Sequence, residues 1–154
     1  MSLKTYQESL AKKLVGAGSV IRDDVGRILL VKPTYHDGWI TVGGIVEASE
    51  SPLEAAMREM KEEIGIAVTP KRLLGVGYLR ESEDRAEMLA FTFDAGVISG
   101  ELIAQITLDS PEVDAYRFVA RDEALTLFAP VYSRYFERVL PALDSGETMY
   151  LDSF

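Results

Sequence analysis

The stretch from Ser51 to Gly65 constrains the fold more than any other, because it dictates a helix at both of its ends. Ser51 can serve as N-cap, Pro52 suits the first helical position, Glu54 can complete a capping box, and Gly65 stands where a left-handed stop residue is wanted. A helix over residues 52–64 follows. At ~100° per residue, with Glu59 set at zero, Glu62 falls near 300° and Glu63 near 40°, so three carboxylates share one stripe. Leu53, Met57, Met60 and Ile64 fall between about 100° and 160° and define a separate stripe that faces a core.

Like charges at i,i+4 cost an isolated helix about 0.2–0.5 kcal/mol per pair. Glu59 and Glu63 therefore call for something positive. A hard divalent cation is one answer, because Mg²⁺ prefers carboxylate oxygens and bridges to substrate phosphates. Arg58 is the other, and it can reach back to Glu50 and fix it through a fork-shaped pair. The loop expected over residues 43–51 supplies Gly43 and Gly44, whose missing side chains let a backbone group approach a metal or phosphate closely.

Around this helix the pattern is strand-rich. Leu3, Tyr6, Leu10 and Leu14 recur at helical spacing and predict an N-terminal helix over 3–14. Residues 17–22 and 27–32 read as a hairpin about Asp23-Asp24-Val25-Gly26. A loop over 32–38 leads to an extended stretch at 39–42. Further strands are expected at 72–79, 88–97 and 116–119, with helices at 121–127 and 131–143. Gly75 and Gly77 weaken the first of these strands unless a bulge or a close approach is intended. The last stretch, 145–154, is open between an ordered strand, a homodimer contact and a frayed tail. No repeat or linker divides the chain, so a single α/β domain over 1–154 is expected.

The spacing within residues 44–66 is specific. Gly44, five residues, Glu50, seven residues, then Arg58-Glu59-Met60-Lys61-Glu62-Glu63-Ile64-Gly65-Ile66 resembles the Nudix box, GX5EX7REUXEEXGU with U aliphatic, at every fixed position. The approach from Trp39 to Gly44 and the run Tyr116-Arg117-Phe118-Val119 also resemble bacterial, MutT-like Nudix domains. Val42 replaces a frequent Pro and Ala48-Ser49 a frequent Pro-Gly, which bears on loop shape and not on the box. The resemblance implies a Nudix α/β/α sandwich with a mixed β-sheet. It also implies hydrolysis of a nucleoside diphosphate linked to another moiety, such as a nucleotide sugar, ADP-ribose, a dinucleoside polyphosphate or a nucleoside triphosphate. Mg²⁺ or Mn²⁺ would be the cofactor, held by Glu59, Glu62 and Glu63 with the Gly44 carbonyl, and Arg58 would orient Glu50. The general base is left open between a box glutamate and an acid from elsewhere. Such a cation neutralises phosphate charge, polarises phosphorus and lowers the pKa of a bound water, so attack on a diphosphate becomes feasible near neutral pH.

Other uses of such a fold are a nucleotide-binding regulator without turnover, removal of diphosphate from RNA 5′ ends, and prenyl diphosphate isomerisation. The last relies on a cysteine, and the chain has none. Lack of cysteine also excludes disulfides and thiolate zinc sites, and fits a reducing, cytoplasmic setting. The 154 residues carry a net charge of −9, which argues against a broad nucleic-acid or anionic-lipid surface. Four of those nine excess charges lie between Glu47 and Glu63, so a bound cation would cancel them where a phosphate must sit. The longest aliphatic run, Ile28 to Val31, is far short of the ~20 residues a membrane span requires. Met1 to Leu14 intersperses Lys and Glu among its apolar residues and lacks the core of a secretion signal.

Outside the box, Glu112 and Asp114 are candidates for an extra carboxylate near the metal, against a plain charged loop after Pro111. Tyr35, His36 and Trp39 are candidates for substrate contact. His36 could carry a proton or stack on a base, and the two aromatic residues could stack on a nucleobase, against ordinary surface and core roles. Tyr132, Tyr135 and Phe136 on the last helix read as packing, against a recognition platform. The charged run 80–87 reads as a solvated hairpin turn, against a substrate-facing role.

Overall fold

The computed structural model describes residues 1–154. Its elements run α1 (Leu3–Glu8), β1 (Leu14–Arg22), β2 (Ile28–Pro33), β3 (Val42–Ile45), α2 (Pro52–Ile64), β4 (Arg72–Leu79), β5 (Met88–Val97), α3 (Gly100–Ile103), β6 (Val113–Val119), α4 (Arg121–Leu127), α5 (Pro130–Val139), α6 (Ala142–Ser145) and β7 (Met149–Asp152). The seven strands form one mixed sheet in the order β6-β2-β1-β5-β4-β7, with β3 antiparallel to the first half of β1. The β1/β5 and β4/β7 pairs are parallel and the others antiparallel.

Alternation along the central strands divides the core between the two faces of the sheet, as a period of two requires. Val20, Ile28 and Leu30 pack on one face with Phe128, which caps α4, and with Tyr135, Phe136 and Val139 of α5. Ile21, Leu29 and Val31 pack on the other with Met60 and Ile64 of α2. Both faces are helix-covered, which is the α/β/α sandwich the resemblance implies. Burying Met60 and Ile64 contributes about 1.5–3 kcal/mol each and holds α2 against the sheet.

Helix α2 has the boundaries and caps expected of it. The Ser51 hydroxyl accepts from Glu54 N–H, the Glu54 carboxylate accepts from Ser51 N–H, and Gly65 closes the helix at φ 73°. Leu53 departs from the predicted stripe and is 39% exposed. At that end of the helix it is the small Ala55 and Ala56 that meet the sheet, against Val46, Phe91 and Phe93.

Several boundaries differ from the sequence reading for identifiable reasons. The N-terminal helix stops at Glu8 instead of reaching Leu14, buries none of its residues, and gives way to β1, where Leu14 and Val15 join the parallel ladder with Met88 and Leu89. The expected 43–51 loop begins as strand, since Gly43 and Gly44 pair with Gly18 and Ala17. Trp39 and Ile40 form only single bridges, to Phe128 and Val31. β6 begins three residues earlier than expected, at Val113 opposite Pro33. Pro141 divides the last predicted helix into α5 and α6, because proline cannot donate to a continuing helix. The short α3, capped by Ser99, has no apolar period and was not expected. Residues 149–152 are a strand on β4, which settles the tail as ordered.

Candidate active site

The box residues meet where β3 delivers its glycines onto α2. Arg58 is the hub. Its Nε and Nη2 donate to the two oxygens of Glu50 at 2.8 and 3.1 Å, the fork anticipated from sequence. Its Nη1 donates to Glu59 Oε1 at 2.8 Å and to Glu62 Oε2 at 2.9 Å, and Nη2 also donates to the Ile45 carbonyl at 3.0 Å. One guanidinium therefore ties the loop carboxylate, two helix carboxylates and the end of β3 together. Glu63 turns the other way and accepts from Gly43 N–H at 3.0 Å. Gly44 is required to be small: an added Cβ would stand 2.6 Å from the carboxyl carbon of Glu59.

Burial works against the charged form of two carboxyls in this cluster. Glu59 and Glu63 are 7% and 2% exposed, although both are carboxylates on a helix. Burial pushes the Glu63 carboxyl up to about 8, opposed by its bond from Gly43 and reinforced by Glu59, Glu112 and Glu62. Glu59 is pushed up by burial as well, with Arg58 pulling against it and Glu62 and Glu112 adding to it. Glu50 goes the opposite way, held below the usual carboxylate range by its Arg58 bonds and by Glu47 N–H. The helix thus presents Glu63, which has a backbone N–H but no cationic partner, and Glu59, whose burial outweighs its bond from Arg58, beside the loop carboxylate Glu50 that Arg58 satisfies.

Two recesses open on this cluster. The smaller, about 310 Å³, is lined by Glu59, Glu62, Glu63, Asp109, Ser110 and Glu112, with no apolar side chain. The larger, about 1030 Å³, shares Glu59, Glu62 and Glu112 with it and runs over β1, β3 and β5 to a wall that includes Phe91, Tyr132, Tyr135 and Phe136. The loop carrying Asp109 to Glu112 is tethered on both sides. Thr107 N–H donates to the Ile64 carbonyl at 3.1 Å, where a side chain on Gly65 would collide with Thr107 Oγ1. Thr34 N–H donates to the Glu112 carbonyl at 2.9 Å.

A sequence model of the NUDIX domain matches residues 12–139. The chain belongs to the NUDIX family. Among its relatives is an ADP-ribose pyrophosphatase of Methanocaldococcus jannaschii, 34% identical over 105 residues, a match covering 66% of this chain and 61% of that protein. The chain thus spans about three fifths of that relative. Diphosphoinositol polyphosphate phosphohydrolase 2 of Rattus norvegicus is 30% identical over 88% of this chain and 75% of its own length. Of solved structures, a MutT protein from Methanosarcina mazei Go1 superimposes with a TM-score of 0.73 at 26% identity, covering 88% of this chain and 99% of that one.

Within this NUDIX fold the candidates named from sequence fall into two groups. Gly44, Glu50, Arg58, Glu59, Glu62, Glu63 and Glu112 come together at the two recesses or the Arg58 hub. Tyr35 and His36 line the rim of the larger cavity, with Tyr35 62% exposed. Asp114 and Trp39 belong to neither recess. Asp114 points to solvent from β6, on the opposite side of the strand from buried Val113. Trp39 packs on the core below α4 with the Arg117 guanidinium 5.6 Å from its ring centre. No signal in the sequence marks Asp109, because it lies in a loop with no period to place it and the tethers at Thr107 and Glu112 bring it into the recess that Glu63 lines. Tyr132, Tyr135 and Phe136 are core residues that also face the larger cavity, so packing describes only half of what they do.

The residues fit a hard divalent cation by chemistry: five carboxylates and one hydroxyl line the smaller recess, and Gly44 leaves room for the Glu59 carboxyl beside its backbone. In the present arrangement no three acidic side chains stand together as a ready ligand cluster. Glu59 and Glu62 are engaged by Arg58 and Glu63 by Gly43.

Proposed function

We propose that this chain hydrolyses the phosphoanhydride of a nucleoside diphosphate joined to an uncharged second moiety, using Mg²⁺ or Mn²⁺. The observation that carries this reading is the continuity of an all-oxygen acidic recess with a large, partly aromatic cavity through Glu59, Glu62 and Glu112. An anionic linkage needs the cation at the first, and a base and sugar need the walls of the second. Glu59, Glu62 and Glu63, with the Gly44 carbonyl, would hold the cation, and Arg58 with Glu50 would keep the helix and β3 in register. When bound, the cation neutralises phosphate charge, polarises phosphorus and makes a water acidic enough to attack. The water oxygen bonds to one phosphorus, the bridging P–O bond breaks, and the proton passes to a carboxylate of the recess, leaving two phosphate monoesters.

The charge of the cavity supports the choice of second moiety. Arg58 is the one Lys or Arg in its lining, and its donors are committed to Glu50, Glu59, Glu62 and Ile45. A polyanionic ring, as the name of the Rattus norvegicus relative denotes, would meet four lining glutamates and no spare cation. ADP-ribose and nucleotide sugars ask only for the diphosphate charge to be met.

The test is a substrate panel with Mg²⁺: ADP-ribose, a UDP-sugar, diadenosine tetraphosphate, a nucleoside triphosphate and a diphosphoinositol polyphosphate, with nucleoside monophosphate, phosphate and pyrophosphate each measured. Release of nucleoside monophosphate from ADP-ribose or the UDP-sugar, well above any release from the inositol compound, is expected. Preferential turnover of the inositol compound, or no turnover of any member, would overturn the reading.

A further inference from the structure

Beyond the box, the aromatic wall of the larger cavity has its own support. Tyr132 and Tyr135, both facing the cavity from α5, are backed by Phe154, whose ring centre lies 4.6 Å from Tyr135 and 6.4 Å from Tyr132. The Tyr135 hydroxyl is 2.8 Å from Thr92 Oγ1 on β5, and Thr92 also lines the cavity. A continuous path of contacts therefore runs from Phe154 through Tyr135 to the cavity surface.

The sequence makes room for this path at Gly77. A Cβ there would lie 2.7 Å from Tyr135 Cε2 and 2.9 Å from Phe154 Cδ1, so both rings sit over bare backbone. The segment before Phe154 is shaped to reach that slot. β7 runs parallel to β4 with Leu151 opposite Gly77, Ser153 N–H donates to the Tyr78 carbonyl at 3.1 Å, and Ser153 adopts φ 73°. A left-handed serine costs of order 1 kcal/mol and persists where surrounding contacts over-determine it. Its Oγ is buried without a partner, so no side-chain bond compensates for that conformation. Besides the Ser153 backbone bond, the turn is held by Phe154 seated on Gly77, Tyr135 and Tyr132.

We propose that Phe154 is a positioning residue for substrate: seated over Gly77, it fixes the Tyr132 and Tyr135 wall and thereby the affinity for the substrate's non-phosphate moiety. The inference rests on the functional reading above for its substrate and on contacts alone for the wall. Phe154 lines neither recess and reaches the cavity only through the two tyrosines, so its loss should weaken binding and leave the chemical step intact.

Phe154→Ala, Phe154→Leu and wild type are compared with Mg²⁺ and whichever panel member wild type hydrolyses, well below the melting temperature of each. Phe154→Ala is expected to raise KM about tenfold with kcat within threefold, and Phe154→Leu to recover most of the loss. An activity-independent readout is nitration by tetranitromethane, located by peptide mapping. Tyr135, buried in wild type, should react in Phe154→Ala and stay protected in Phe154→Leu, with exposed Tyr35 and Tyr150 as internal standards. Unchanged KM, a parallel fall of kcat, or unchanged Tyr135 protection in Phe154→Ala would overturn the proposal. Should wild type hydrolyse no panel member, the functional reading fails, and the nitration pattern alone decides whether Phe154 holds the wall.

Discussion

Gly44→Ala isolates the site from the fold. The added Cβ would stand 2.6 Å from the Glu59 carboxyl carbon, whereas ordinary contact begins at 3.4 Å, so the carboxylate must retreat by about 0.8 Å or more. Gly44 has no positive φ and its neighbour is the free end of a side chain, so the backbone tolerates alanine. Replacing glycine where the conformation permits gains about 0.4–1 kcal/mol through the unfolded chain, which roughly offsets a strained Glu59–Arg58 bond. Stability should hold within about 1 kcal/mol, read as a urea midpoint. Activity should not hold. A misplacement near 1 Å at a reacting centre costs ~10²-fold, or about 2.7 kcal/mol of transition-state stabilisation. Steady-state kinetics with Mg²⁺ on the accepted panel member should show kcat/KM down by about that factor. Because the loss acts through Glu59, the double variant with Glu59→Gln should be little worse than Glu59→Gln alone, a non-additivity that distinguishes coupling from general damage. A Gly44→Ala protein with normal melting and kcat/KM within threefold of wild type would show that the Glu59 position does not govern turnover.

Glu62→Gln and Glu63→Gln should each lower turnover by at least ~10²-fold, since both remove a carboxylate from the recess; unchanged turnover in both would sink the site assignment. Glu63→Gln should leave the metal-free protein no less stable at pH 7 by urea melt, because the amide keeps an acceptor for Gly43 N–H and removes a carboxyl that burial pushes up to about 8. Arg58→Lys should cost tenfold or more in kcat/KM, because an ammonium cannot replace a guanidinium that serves three carboxylates and a carbonyl. Asp23 supplies a pH test away from the site. Burial raises its pKa, but the Arg27 side chain and N–H, at 2.6 and 2.7 Å, lower it further, so the folded value lies below the unfolded one. Its contribution is therefore present above pH ~4 and lost as pH falls through the folded value. Urea melts at pH 7 and pH 3 should show wild type losing more stability than Asp23→Asn, and equal losses would contradict this.

How much of this was legible in sequence depended on whether a local signal existed. Helix α2 was readable to the residue because Ser51, Pro52, Glu54 and Gly65 act locally, and the Glu50–Arg58 pair followed from spacing along it. β4 was placed correctly although Gly75 and Gly77 weaken it as a strand. Their reason lies across the sheet, where Val139, Tyr135 and Phe154 fill the space a side chain would take. The end of α1 was misread because an apolar period in an exposed segment matched a helix, while Leu14 answers to Met88 seventy-four residues away. Asp109, and the cavity-facing role of Tyr132 and Tyr135, depend on long-range tethers that no short window contains. Trp39 and Asp114 show the converse, plausible residue types close in sequence to the site that the fold turns elsewhere.

If the acidic recess works as a cation site for breaking a phosphoanhydride, turnover depends on both the cation and its carboxylates. The most direct measurement is product release from the accepted panel member by wild type and Glu62→Gln, each with Mg²⁺ and with EDTA. Release by wild type with Mg²⁺, and at least ~10²-fold less in the other three conditions, is the predicted result. Equal release in EDTA, or from Glu62→Gln with Mg²⁺, would contradict it.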